Sequence, residues 1–329
     1  MKHFACATCI ALALLSPSSG AHAADALPDR SAFMTRRMPY TAFDQLPPNH
    51  LRVMNADLTV AFAPGELQLS QERVLAWVKH SAGIVGAYYG RFPVDAARIL
   101  IVPIAGAGVR NGATFGYRGA ATKIFIGTAT TASHLDNDWV LIHEMVHFAF
   151  PDTDESHLWF SEGQATYIES VARVRVGART ASEVWGEFVA QMPKGLPRAG
   201  DAGLDHTHTW GRTYWGGAMF CLLADVEIRK RTHNRFGLQD ALRAVVNAGG
   251  VNTEDWPLEK ALKIGDAAVG VPVLLDLYEK LKAAPGSTDL DKLWRDLGIR
   301  VAGDSVAFDD KANLAAARKA IMRNSGVTE

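Results

Sequence analysis

The densest chemical signal in this 329-residue chain is His143-Glu144-Met145-Val146-His147, inside the run DNDWVLIHEMVHFAF. Two histidines four apart on a helix diverge by only about 40° around its axis, so both imidazoles can reach one metal ion. The glutamate after the first histidine lies about 100° round the same axis, near enough to handle the proton of an activated water without being a ligand. This is the HExxH pattern, in which zinc acidifies a water and the glutamate takes its proton.

Two histidines and a water leave a zinc ion one protein ligand short. Glu162, in WFSEGQATY (159–167), follows His147 with fourteen residues between them, a separation at which two helices joined by a turn can face each other. Glu169 stands two turns beyond Glu162 on the same helical face, where it would hydrogen-bond a ligand histidine from behind. His206 and His208 precede a later helix and read as polar loop, with His208 kept as a further candidate beside the metal. Asp205 and Arg212 lie in the same region without a distinct role. His134 and His157 flank the motif helices as caps or surface residues, and His50 and His80 have no partner pattern. Cys221, in AMFCLLADV, reads as a small buried hydrophobe.

HEMVH followed by WFSEGQATYIE resembles the gluzincin metallopeptidases, especially the aminopeptidase N and glycyl-aminopeptidase-like groups (the peptidase MA superfamily). The resemblance spans roughly residues 112–232. It implies a thermolysin-like zincin catalytic domain, with one Zn2+ held by His143, His147 and Glu162 and with Glu144 as general base and later proton donor. Thr213-Tyr214-Trp215-Gly216-Gly217 resembles the family's Y-x-K-G helix, whose tyrosine steadies the tetrahedral oxyanion, a role that would fall to Tyr214. The His147–Glu162 gap is shorter than is usual in the aminopeptidase N group. The family's Gly-x-Met-Glu-Asn segment, whose glutamate grips the substrate's amino group, has its expected place at GYRGAA (116–121), which carries no acid. Aminopeptidase specificity therefore does not carry over. ATKIFIG (121–127) remains as a strand on which an extended peptide could be added.

The elements that must position these groups follow from the patterning. LRVMNADLTVAFAP, ARILIVPIAG, GATFGYR and ATKIFIGTA read as strands separated by turn glycines. SQERVLAWVKHSAGIVGAYYGRF reads as a helix capped by Ser70. Beyond residue 133 the pattern is helical to the end, with Asp136 and Asp138 capping the HExxH helix and Pro151 closing it. WGRTYWGGAMFCLLADVEIRKRT reads as one long helix. The expected fold class is α+β, with a strand-rich N-terminal part (24–132) and an all-helical C-terminal part (133–329) that carries the zinc site between them.

Residues 1–23 read as a secretory signal: Lys2, an apolar run from Phe4 to Leu15, then Ala21-His22-Ala23. Its removal leaves Cys221 as the only cysteine, with no internal disulfide, and takes the net charge from −1 to −2. The expected location is periplasmic or extracellular. No basic stripe points to nucleic acid, and no later apolar run is long enough to span a membrane. Residues 24–50 read as an extended lead-in that packs late or poorly. The expected activity is hydrolysis of peptide or protein substrates; the oligomeric state is open. The competing expectation is a catalytically inactive zincin-fold binding or scaffold protein of the envelope. An open groove along ATKIFIG favours the enzyme, and a groove plugged by residues 24–50 favours latency or binding.

Overall fold

The computed structural model describes residues 30–302 and 305–324, so the leader expected at 1–23 lies outside the described residues. After a short helix, α1 (Ala42–Gln45), the hairpin β1 (Asn49–Val53) and β2 (Ala56–Phe62) opens a five-stranded sheet of order β1-β2-β3-β5-β4. Helix α2 (Gln71–Tyr89) leads from β2 to β3 (Ala96–Ile104), and β4 (Val109–Phe115) and β5 (Ala121–Gly127) follow. Strands β2, β3 and β5 run parallel, with Ile99 of β3 opposite Val60 and Thr122. β4 turns back antiparallel on β5, Thr114 opposite Thr122, and forms one edge of the sheet, β1 the other.

The central strands are buried on both faces, which is why ARILIVPI reads as a continuous apolar run rather than an alternating one. Ile99 and Ile101 point into the main core with Val74, Trp77 and Val78 of α2. Leu100 and Val102 point the other way, into a second cluster closed by Phe33, Met38, Tyr40, Ala42 and Leu46. The lead-in expected to pack poorly is, over residues 30–46, the cover of the sheet's outer face. Scattered aromatics without a period were the only hint of it, because an irregular segment has no repeat to read.

The remaining chain is helical: α3 (Ala132–Asp136), α4 (Val140–Val146), α5 (Leu158–Arg175), α6 (Ala181–Gln191), α7 (Gly217–Arg231), α8 (Leu238–Asn247), α9 (Leu258–Val269), α10 (Val273–Leu281), α11 (Leu290–Leu297) and α12 (Ala315–Ile321). Two expectations for this part change. It is not all-helical, since β6 (Ile299–Ala302) and β7 (Ser305–Phe308) pair as an antiparallel hairpin. The long helix expected from Trp210 begins instead with a π-helical turn, Gly211–Gly216, before α7. Caps behave as local chemistry dictates. Ser70 Oγ accepts from Arg73 N–H at 3.3 Å, and Asp138 accepts from the N–H groups of Val140 and Leu141 at 3.0 Å each. Asp136 instead ion-pairs with Arg73 of α2. No helix among the described residues is long and apolar enough to cross a membrane.

Candidate metal centre and cleft

Helix α4 carries His143, with His147 opening the 3-10 turn just beyond its last residue, and it packs on α5, which carries Glu162 near its N-terminus. Phe150 adopts an extended backbone before Pro151, as a residue preceding proline must, and this ends the turn that follows α4. The reversal brings the three side chains together. His143 Nε2 lies 3.1 Å and His147 Nε2 3.7 Å from Glu162 Oε2, and donors from all three lie within 4.8 Å of one another. Ligands sharing a tetrahedral zinc sit about 3.3 Å apart, a value these two distances bracket, so the residues fit the ion. Ser161 Oγ, 3.0 Å from His147 Nδ1, fixes that ring from behind and leaves Nε2 for the metal.

The electrostatics suit ligation. Burial holds the His147 imidazole below its usual value, in the neutral form a metal needs. Burial alone would raise Glu162, but its hydrogen bond to His143 and the nearby His147 outweigh this and keep its carboxyl below the ordinary value. Glu144 is raised, chiefly by burial, which moves it toward the range of a useful general base.

Glu144 faces β4. Thr114 Oγ1 stands 2.8 Å from Glu144 Oε2 and also 2.8 Å from the Glu144 carbonyl oxygen, with Thr122 Oγ1 2.9 Å behind it. Gly112 makes this approach possible: a methyl group there would stand 2.5 Å from Glu144 Cγ. Across the site, the Tyr214 ring lies 6.4 Å from that of His143. The Tyr214 hydroxyl faces Glu162 and is pushed up to about 12, first by burial and then by the Glu162 and Glu144 carboxylates. It is therefore a donor at any physiological pH.

Glycines set the distance between α5 and the π-turn. A methyl on Gly217 would meet the Trp159 carbonyl oxygen at 2.0 Å, and one on Gly163 would meet Gly217 Cα at 2.2 Å. The two backbones touch at that point, one residue from Glu162 and three from Tyr214. The site opens into a cleft of about 1040 Å³ walled by β4 on one side and by Trp139, His143, His147, Glu162 and Tyr214 on the other. Asp152, Asp154, Glu155 and Asp255 also line it.

No known family's sequence profile and no curated protein matches this chain. Solved structures do. An aminopeptidase N family protein from Idiomarina loihiensis superposes with a TM-score of 0.55 at 14% identity, over 78% of this chain and 50% of that one. A mutant M1 zinc metallopeptidase from Deinococcus radiodurans, bound to a Tyr-Ser-Ala substrate, gives 0.48 at 13% identity, over 74% and 53%. A two-domain M1 zinc metallopeptidase mutant bound to L-arginine gives 0.48 at 14%, over 74% and 54%. The fold is like that of the aminopeptidase N family protein. This chain spans about half the length of the structures it matches.

Several sequence expectations move. The edge strand is Val109–Phe115, not ATKIFIG, which lies between β3 and β4 with both sides paired. It cannot accept a peptide strand; β4 can. Residues 116–121, the expected place of the amine-gripping segment, form the turn after β4 and the first residue of β5, and β4 itself carries no acid. Glu169 hydrogen-bonds Ser170 Oγ and lies 3.6 Å from Arg173, with no ligand histidine in its bonds. Seven residues of helix carry it about 10 Å beyond Glu162. His208 is exposed on its loop and is not among the residues lining the cleft. Asp205, left without a role, accepts from Trp159 Nε1 at 2.8 Å and from Tyr278 at 3.0 Å, beside His157. Arg212 pairs with Asp201 at 2.7 Å. Thr114, Gly112 and Ser161 were missed by sequence reasoning. Only Ser161, next to Glu162, carried a readable signal; the other two depend on which strand is the edge.

Proposed function

We propose that the protein is a secreted, zinc-dependent peptidase that hydrolyses peptide bonds with Glu144 as general base. The observation that carries this reading is Glu144, buried and fixed by Thr114, beside three convergent metal donors at the mouth of an open cleft. When bound at His143, His147 and Glu162, zinc supplies the Lewis acidity that polarises a carbonyl and acidifies water. Glu144 takes the proton of the attacking water and passes it to the departing amine. Tyr214 donates a hydrogen bond to the oxygen on which charge develops. The free edge of β4 offers backbone donors and acceptors that align an extended peptide past these groups.

Secretion is proposed from the leader sequence. The competing reading, a silent binding protein, drew on the missing amine-gripping glutamate and on the Gly-Gly after Trp215. Gly217 has another explanation, the contact with α5, and residues 30–46 cover the outer face of the sheet rather than the cleft. The test is digestion of a diverse peptide pool by zinc-loaded residues 24–329, read by mass spectrometry, with Glu144→Gln as control. Cleavage by the native chain alone supports the proposal. A zinc-loaded native chain that cuts nothing refutes it.

A further inference from the structure

The chain contains eight tryptophans, and its fold hides most of them: Trp77, Trp159, Trp185, Trp215 and Trp294 are all buried. Two are left half exposed or more, Trp139 at 50% and Trp210 at 60%. Both are tied to the metal centre. The Trp139 ring meets His143 edge-on with centroids 5.7 Å apart. Trp210 lies 5.8 Å from Tyr214, tilted by 30°. Since His143 and Tyr214 are themselves stacked, the four rings form one band, with ligand and oxyanion donor in the middle and an exposed indole at each end. Leaving two large apolar rings in water is unfavourable for folding, and contiguous exposed apolar surface beside a site marks recognition. The facing wall is of another kind. Over Gly112 and Ala113, β4 offers backbone and little side chain, with Phe115 and Tyr117 only further along it, so the aromatic surface in ring contact with His143 and Tyr214 is that of the band.

We propose that Trp139, which lines the cleft, and Trp210, which extends that wall beyond Tyr214 at the rim, select peptides with an aromatic or large aliphatic side chain on a residue flanking the scissile bond. This rests on the peptidase reading above. Each indole presents a rigid face at little entropic cost, and aromatic pairing adds to the gain from burial. Lys194 Nζ lies 5.7 Å from the Trp210 ring centre and holds that indole from another side.

The experiment has a cleavage arm and a binding arm. In the first, cut sites of the native enzyme in a peptide pool are expected to be enriched in Phe, Tyr, Trp, Leu and Met within two residues of the cut. Trp139→Ala and Trp210→Ala should raise KM for a Phe-containing peptide about tenfold, with a smaller change in kcat, and should shrink its advantage over the Ala analogue. Trp139→Phe should retain that advantage. Trp210, the more exposed ring, keeps the test available if Trp139→Ala does not fold. In the second arm, zinc-loaded Glu144→Gln is titrated with dye-labelled Phe and Ala peptides and should bind the Phe peptide more tightly. Unenriched cut sites, or unchanged preference in both alanine variants, overturns the proposal. A native chain that cuts nothing defeats the peptidase reading instead, and the binding arm then decides the aromatic wall alone.

Discussion

At the scale of single residues, what was readable was what a helix repeats. The i, i+4 histidines and the intervening glutamate follow from helical geometry alone, whereas the partner of each group depends on packing. Glu144→Gln should retain zinc and lose about 10³-fold in kcat, the usual worth of a general base, with metal content and turnover measured on one preparation. Thr114→Val removes the side-chain hydroxyl placed on Glu144 and should lower kcat about tenfold at unchanged zinc stoichiometry. An unaltered kcat would mean that Thr114 merely ties β4 to α4. Glu169 gives a different expectation. Burial raises it from an ordinary 4.5 to about 7, so between those values the folded chain holds a proton that the unfolded chain has lost. Stability must then fall as pH rises from about 4.5 to 7. Glu169→Gln has no such titration, and its melting temperature relative to the native protein should climb between pH 5 and pH 8. A constant difference would contradict the assignment.

At the scale of elements, the sequence made existence legible and left neighbourhood hidden. Ser70, Asp138 and Pro151 each act within a turn of themselves, and the elements they bound stand where expected. Strand order is non-local, and nothing in GATFGYR or ATKIFIG says which of the two ends the sheet. The π-turn was hidden for the same reason: its neighbours are distant in sequence, and it runs straight into the backbone contact that Gly217 makes with α5. That contact is testable. Gly217→Ala places a methyl 2.0 Å from the Trp159 carbonyl oxygen, against backbone that cannot rotate away. The substitution should cost about 1–3 kcal/mol by overpacking and weaken zinc binding, because α5 must recede and carry Glu162 with it. Gly112→Ala should behave otherwise. Its new methyl meets the side chains of Glu144 and Ile124 rather than a backbone, so turnover should fall about 100-fold with zinc retained. Equal loss of zinc in both variants would remove the distinction.

At the scale of the molecule, the same sheet is asked to do two jobs, and its two faces divide them. One face meets α2 and the helices that carry the ligands. The other would be open if residues 30–46 were not laid across it, and a largely parallel sheet is stable only with both faces covered. The cover is specific rather than merely greasy. Lys123 is 1% exposed, and its ammonium donates to the carbonyl oxygens of Thr35 and, at 2.9 Å, Arg37. Tyr40 donates to the Gly119 carbonyl at 2.7 Å. Removing the segment would leave the Lys123 amine without these partners and expose Leu100, Val102 and Ala121. None of the residues lining the cleft precedes Arg110, so the segment contributes nothing to the chemistry directly. A chain of residues 49–329 should therefore melt on the order of 10 °C below residues 24–329 and bind an apolar dye at temperatures where the longer chain does not. At low temperature it should still take up one zinc per chain, because His143, His147 and Glu162 are held from the other face. Equal melting temperatures would show that the cover is dispensable. Loss of zinc at low temperature would show instead that the outer face supports the metal centre through the sheet.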